Sequence, residues 1–197
     1  MGTLLYRRRY MGKNGAPSMR YVQYIEATNG QYLDTGITPD ASSEITVDGD
    51  FANLDASSSF FSACTNWNFS QYTLFLASNR LYWAVKNANF TMTLQRYKYK
   101  IVGSTLYMDD VQKSTNPWNN NYVNTTFHIF AHGSAGTAGA DRRNSRGKLY
   151  GSTHKKNDIL LQNLIPVAIG NVGYMLDTLT DTLIASKVGD FIPGPDV

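Results

Sequence analysis

Apolar and polar residues alternate in short runs along most of the chain, which is the pattern of half-buried β-strands. Residues 44–51 are typical, because polar side chains fall on the even-numbered positions and Ile45 and Val47 fall on the other face. Residues 97–102 alternate aromatic with charged side chains, and Gly103-Ser104 follows, which predicts a hairpin with residues 105–108. Comparable runs occupy residues 21–27, 59–64, 72–77, 81–85, 126–131, 148–150, 159–167 and 182–185. No segment carries a long apolar stripe of helical period, so we expect an all-β sandwich of about ten or more strands.

Composition supports the same fold class. Thirteen Tyr and nine Phe stand beside only two Glu, so strand formers are abundant and helix formers are rare. Gly and Pro, which favour turns, are spread along the chain. Asp109-Asp110 predicts a tight turn, and residues 133–146 form the longest candidate loop. The apolar fraction of 42% is enough to bury a core, and 197 residues fit one domain with an appendage.

The N-terminal segment differs from the rest of the chain in charge. Residues 1–20 contain five basic residues and no acidic one, a local charge of +5 in a chain of net charge +3. The remaining residues therefore sum to −2, so the basic character does not belong to the body. Because glycines and a proline interrupt the segment, we interpret residues 1–18 as a basic arm and residues 19–197 as one domain. The basic charge therefore says little about nucleic-acid binding by the domain, and we expect no nucleic-acid partner.

Simple counts disfavour other classes of protein. Cys64 is the single cysteine, so neither an intramolecular disulfide nor a cysteine-cluster metal site can form. No apolar run approaches membrane-spanning length, and the run before the arginines is too short for a signal peptide. We therefore expect synthesis in a cytoplasm and no membrane partner.

Candidate catalytic and metal-binding residues are few. A glycoside hydrolase needs two carboxylates close together; Glu44, Asp48 and Asp50 share a strand face, but a glycine interrupts that strand. His128 and His132 are four residues apart, and in an extended strand that spacing of about 13 Å is too wide for one zinc ion. We expect no enzymatic activity, no cofactor and no metal site.

Tryptophans beside asparagines are the candidate glycan-binding residues, because sugar-binding surfaces combine flat apolar rings with amide hydrogen-bonding groups. Aromatic rings are equally needed between the sheets of a sandwich, and a place in the core is the favoured alternative for each tryptophan. The candidates are Trp67, Asn68, Trp83, Trp118 and Asn119.

Several motifs carry a family resemblance. Residues 24–36, which read YIEATNGQYLDTG, resemble the opening of concanavalin-like, laminin G-like jelly-roll domains of gut bacteria and their phages. The segments 148–150, 164–167, 171–177 and 191–197 resemble the closing strands of that family. The likeness implies a two-sheet antiparallel jelly roll over residues 20–197. Residues 151–158 depart from the pattern, because they are more polar than the family's usual strand and turn, which puts the local strand pairing in doubt.

The arm resembles the basic leader that precedes such domains in phage structural proteins. Its anchoring residues are expected to be Leu4, Leu5, Tyr6, Arg7, Arg8 and Arg9. The resemblance implies a non-enzymatic virion component, such as a head fibre, a capsid-decorating protein or a tail-associated adhesin, made in the cytoplasm of the host bacterium. We expect other virion proteins to bind the arm, a host-surface glycan to bind the domain, and the chain to form a homo-oligomer. A freestanding carbohydrate-binding module is the alternative, and a glycoside hydrolase is a distant third.

Overall fold

The computed structural model describes residues 17–52, 58–64, 70–77, 80–83, 86–91, 93, 95–115, 125–131 and 146–197. Over these residues the protein is all-β, as the alternation predicts, with seventeen strands and no helix. The strands are β1 (Met19–Tyr21), β2 (Ile25–Ala27), β3 (Leu33–Asp34), β4 (Ser43–Phe51), β5 (Ser58–Cys64), β6 (Ser70–Ala77), β7 (Arg80–Trp83), β8 (Lys86–Thr91), β9 (Arg96–Val102), β10 (Thr105–Met108), β11 (Val111–Thr115), β12 (His128–Ile129), β13 (Gly147–Lys156), β14 (Ile159–Ile169), β15 (Val172–Asp177), β16 (Thr182–Ile184) and β17 (Ile192–Pro193).

Within the described part of the chain, the strands form two antiparallel sheets. The larger sheet has the order β11-β10-β9-β4-β13-β14-β15-β16, and the smaller has the order β3-β12-β5-β6-β7-β8. Three further strands complete the larger sheet. β2 pairs with residues 147–149 of β13, β1 pairs with residues 167–169 of β14, and β17 pairs with β2.

Aromatic side chains fill the space between the sheets. Phe51 on β4 stacks on Phe60 of β5 with ring centroids 3.8 Å apart and an interplanar angle of 4°. Tyr99 on β9 tilts against both rings, and Phe130 after β12 meets Phe51 edge-on. Burial alternates strictly along β4, which places Ile45 and its odd-numbered neighbours in this core. The two sheets therefore share one hydrophobic core and form a β-sandwich.

The beginning and the end of the described chain pair with each other. Gln23 donates its backbone N–H to the carbonyl of Pro195 at 2.9 Å, and Gly194 donates to Tyr24 at 2.8 Å. Glycine is required at position 173, because an added Cβ would lie 2.8 Å from Cγ2 of Ile25. β13 and β14 pair with each other only over residues 152–156 and 159–164, so β2 and β1 pair with the ends of these two strands that have separated.

Most strand predictions are confirmed, with shifted boundaries. The hairpin of β9 and β10 is present, and Asp109 and Asp110 turn with φ of +48° and +61°. The predicted run 126–131 is shorter, because only β12 is extended and Phe130 has φ +69°. The polar stretch 151–158 remains paired, since β13 runs to Lys156 and pairs with both β4 and β14, but the register with β14 shifts between His154 and Lys155. The predicted loop 133–146, except for its last residue, lies outside the described residues.

Candidate functional site

An open groove lies where the margins of the two sheets meet. Its volume is about 410 Å³, which is in the size range of small-molecule sites. Residues 34–36, which begin at the end of β3 in the smaller sheet, line one side, and Gln162 of β14 and residues 177–187 of the larger sheet line the other. The polar and charged residues that line the groove are Asp34, Gln162, Asp177, Thr180, Thr182 and Lys187. The backbone N–H of Lys187 donates to the carbonyl of Tyr32 at 3.0 Å, and this bond joins the two walls.

Asp34 stands at the end of β3 on a rigid turn. Gly36 has φ +73°, a conformation that favours glycine, and its N–H donates to Oδ1 of Asp34 at 3.0 Å. Thr35 is buried, and its N–H and hydroxyl donate to the carbonyl of Phe127 at 3.0 and 2.9 Å. Gln162 on β14 donates Nε2 to the carbonyl of Thr35 at 3.0 Å. Both sheets thus hold this turn in place.

The carboxyl group of Asp34 is partly buried and charged. His128, helped by the Gly36 amide and the Thr126 hydroxyl, holds the pKa of Asp34 well below its ordinary value, although burial raises it. Oδ1 lies 3.7 Å from Nε2 of His128, and Oδ2 lies 3.8 Å from Nζ of Lys187. One oxygen therefore faces the interior, and the other faces an ammonium group across the groove.

His128 supports Asp34 from behind. The imidazole is buried, its Nε2 lies 3.3 Å from the hydroxyl of Thr126, and its ring meets Tyr32 edge-on at 5.5 Å. Its Nδ1 is buried without a hydrogen-bond partner among the described residues. An unpartnered buried N–H is costly, so the neutral ring is expected to carry its proton on Nε2, where partners exist. In that tautomer Nε2–H can donate to the Thr126 hydroxyl, and its positive end also faces Oδ1 of Asp34.

The side chain of Asp177, the second carboxylate of the groove, accepts hydrogen bonds from its own turn and from β14. Oδ1 accepts the N–H groups of Asn163 and Leu179 at 3.2 and 3.1 Å, and Oδ2 accepts the hydroxyl of Thr180 at 2.9 Å. These bonds fix the β15–β16 connection beside β14. Asp177 therefore shapes the wall, and Asp34 is the carboxylate more open to a ligand.

A second cluster lies on the outward face of the larger sheet. Tyr24 and Tyr150 meet edge-on at 5.5 Å, with Lys148 4.6 Å above the first ring and Arg96 3.9 Å above the second. Arg96 also binds both oxygens of Asp48 at 2.6 Å. Charges and ring faces in this cluster are paired with one another, whereas the groove is a recess lined by polar groups, so the groove is the better candidate site.

Trp83 is a correction to the predicted glycan-binding set. The side chain is fully buried in the core, and its Nε1 donates to the carbonyl of Ser104 at 3.0 Å. Because a ligand cannot reach a buried ring, Trp83 offers no stacking surface in this structure. A place in the core, which the sequence analysis favoured as the alternative for each tryptophan, is what the structure shows for Trp83. The other predicted glycan-binding residues, Trp67, Asn68, Trp118 and Asn119, and the arm residues Leu4 to Arg9, lie outside the described residues.

The candidate carboxylates of β4, Glu44, Asp48 and Asp50, do share an outward face, as predicted, but two of the three are engaged in ion pairs. Glu44 accepts Nζ of Lys155 at 2.9 Å, and Asp48 is bound by Arg96. His128, one residue of the candidate histidine pair, lies beside Asp34 of the groove. His132, the other residue, lies outside the described residues.

Sequence reasoning missed the groove. Its two walls come from positions 34, 162 and 187, which no local pattern connects. A weak signal was present in Asp34-Thr35-Gly36, where a short acidic side chain two residues before a glycine is typical of a side-chain-bonded turn.

Comparison with known protein families finds no model that matches the chain, and comparison with curated proteins finds no match. In the described ranges, no group of three or more potential metal ligands comes together. The same residues contain no helix that is long and apolar enough to cross a membrane. Fold and site thus define an antiparallel β-sandwich with a polar groove between its sheet margins.

Proposed function

We propose that the protein is a non-enzymatic structural component of a phage particle that is anchored by residues 1–18 and displays a lectin-like β-sandwich. Within this proposal the sandwich is a jelly roll, a topology supported by the pairing of early and late strands, β2 and β17, in one sheet. Support for the anchor comes from the charge split between the basic arm and the acidic remainder of the chain.

One geometric observation carries the proposal. Met19 pairs with Ile169 at one end of β14, and Pro17 lies beside the following turn at Gly170. Gln162, which lines the groove, is seven residues earlier on β14, so the entry point of the chain is about 23 Å from the groove. Attachment through the arm would leave the groove accessible, which is what a displayed binding domain requires.

The arm combines an apolar triplet with three arginines, which suits a protein partner better than a phosphate backbone. Leu4, Leu5 and Tyr6 supply an apolar anchor for strand addition or groove docking, and the arginines bind carboxylates. The partner is therefore proposed to be another virion protein, with a homo-oligomer of this chain as the displayed unit.

The test is incorporation into particles. Deletion of residues 2–16 is expected to leave a folded sandwich that is absent from purified particles, whereas the full chain is present. Changing residues 7–9 together to Gln should reduce incorporation strongly. A matched control replaces Lys98, Lys113 and Arg146 by Gln, which removes the same charge from the sandwich and should leave incorporation unchanged. Full occupancy by the truncated chain would refute the anchoring role.

A freestanding carbohydrate-binding module is the second candidate, and the groove is the observation that favours it. In that case the full-length chain would bind a glycan but would not be recovered in particles. The hydrolase interpretation has no such observation, since the Glu44 and Asp48 carboxylates are held by Lys155 and Arg96.

A further inference from the structure

We infer that the groove binds a neutral sugar, with a ligand hydroxyl bridging the Asp34 carboxylate and the Lys187 ammonium group. This inference rests on the lectin-like part of the proposed function and assigns it a site and a ligand class. It replaces tryptophan stacking as the mode of recognition for the described part of the chain.

The spacing of the two charged groups fits an inserted hydroxyl. Oδ2 of Asp34 and Nζ of Lys187 are 3.8 Å apart, which is too long for a direct hydrogen bond. A hydroxyl group placed beside both can accept a hydrogen bond from Nζ and donate one to Oδ2, with each bond near its usual length. Carboxylates and ammonium groups form stronger hydrogen bonds to hydroxyls than neutral groups do, so this is the anchoring contact.

The rest of the groove suits the other parts of a sugar ring. Thr180 and Thr182 are exposed on the opposite wall; the Thr180 hydroxyl donates to Asp177 and can still accept a hydrogen bond from a ligand. Leu183 and Ile184 are half-buried and provide an apolar surface for C–H groups, and Ile184 is supported by the core beneath it. Sites for small polar ligands combine such an apolar surface with a few placed polar groups.

Charge in the groove selects against acidic sugars. The lining contains two carboxylates, Asp34 and Asp177, and one ammonium group, Lys187, so its net charge is negative. A uronic acid would place a third carboxylate beside Asp34, and like charges at such a distance repel. A neutral sugar avoids this repulsion and still satisfies both charged groups.

Asp34 is prepared for this role before a ligand binds. The Gly36 amide, Thr126 and His128 orient the carboxylate, so little ordering is required on binding. His128 and Thr126 are therefore positioning residues. Thr126→Val removes the supporting hydroxyl without touching the groove lining. It should raise the pKa of Asp34 and so move the acid side of the pH profile of binding to higher pH, because the carboxylate loses a group that favours its charged form.

The experiment is a calorimetric titration of the full-length protein with dextran, mannan and galactan as neutral polymers and with alginate and polygalacturonate as acidic ones. We expect at least one neutral polymer to bind and both acidic ones to bind at least about tenfold more weakly. Asp34→Asn, which keeps the shape and removes the charge, should weaken binding of the neutral polymer at least about tenfold. Asp158→Asn is the matched control, since Asp158 is exposed on the β13–β14 turn at φ +62°, where Asn is tolerated.

The outcomes separate the inference from the proposed function. Equal binding of neutral and acidic polymers, or full affinity in Asp34→Asn, would overturn the inference and leave a lectin-like display intact. Loss of binding on addition of EDTA, with recovery in calcium, would overturn direct recognition by Asp34 and Lys187. If no polymer binds to a folded protein, the inference and the lectin-like role both fail, while particle incorporation still tests the anchor by itself.

Discussion

The stacked pair Phe51 and Phe60 joins the two sheets, so its coupling energy measures whether the sheets face each other as described. Both rings are fully buried, and their centroids are 3.8 Å apart. Truncation of either ring to Ala would cost about 3–5 kcal/mol, a large share of the roughly 5–15 kcal/mol that stabilises a domain. Phe→Leu is therefore the better perturbation, because it removes the ring and keeps most of the buried volume.

A double-mutant cycle isolates the contact. We expect Phe51→Leu and Phe60→Leu to be non-additive by ~0.5–1.5 kcal/mol, the energy of an aromatic pair beyond its buried area. Urea unfolding followed by tryptophan fluorescence and circular dichroism gives the free energies, with an unchanged dependence on urea as a check on the unfolded state. As a control, Phe60→Leu combined with Leu176→Ala should be additive, since Leu176 is buried outside the main core cluster. Additivity of the Phe51 and Phe60 changes would contradict the stacked contact.

Two further outcomes are expected. Trp83→Phe should lower the free energy of unfolding by about 1–3 kcal/mol, because it removes the hydrogen bond to the half-buried Ser104 and part of a buried ring. Glycan affinity should not change, and a specific loss of affinity in calorimetry would return Trp83 to the binding site. Acid should destabilise the protein in two windows. Burial lowers the pKa of His154 below its ordinary 6.5, so the unfolded state binds the proton first and stability falls as pH drops below 6.5, by up to about 1.4 kcal/mol per pH unit. Lys156 holds the pKa of Asp40 at about 2 against an ordinary 3.8, so its contribution is present above pH 3.8 and is lost between pH 3.8 and about 2. Urea titrations from pH 8 to 2 check both windows, and a first window that persists in His154→Gln would contradict the assignment.

Local pattern determined the secondary structure of this protein because strand formation depends on a two-residue period and on turn residues beside it. Alternation in residues 44–51 placed β4 and its buried face correctly, and Asp109-Asp110 marked a real turn. Where sequence and structure differ, tertiary contacts decided. His128 and Ile129 are extended within a longer predicted run because their neighbour Phe130 turns into the core with positive φ.

The candidate site was decided only by the tertiary structure. Asp34, Gln162 and Lys187 are separated by 25 residues or more along the chain, and only the packing of β3 against β14 and the segment after β16 brings them to one groove. The burial of Trp83 was likewise decided by the tertiary structure, because its neighbours in sequence do not reveal which face of β7 meets the core. Alternation along a strand defines two faces, but the partner sheet that packs on one of them determines which face is buried and which is left to bind a ligand.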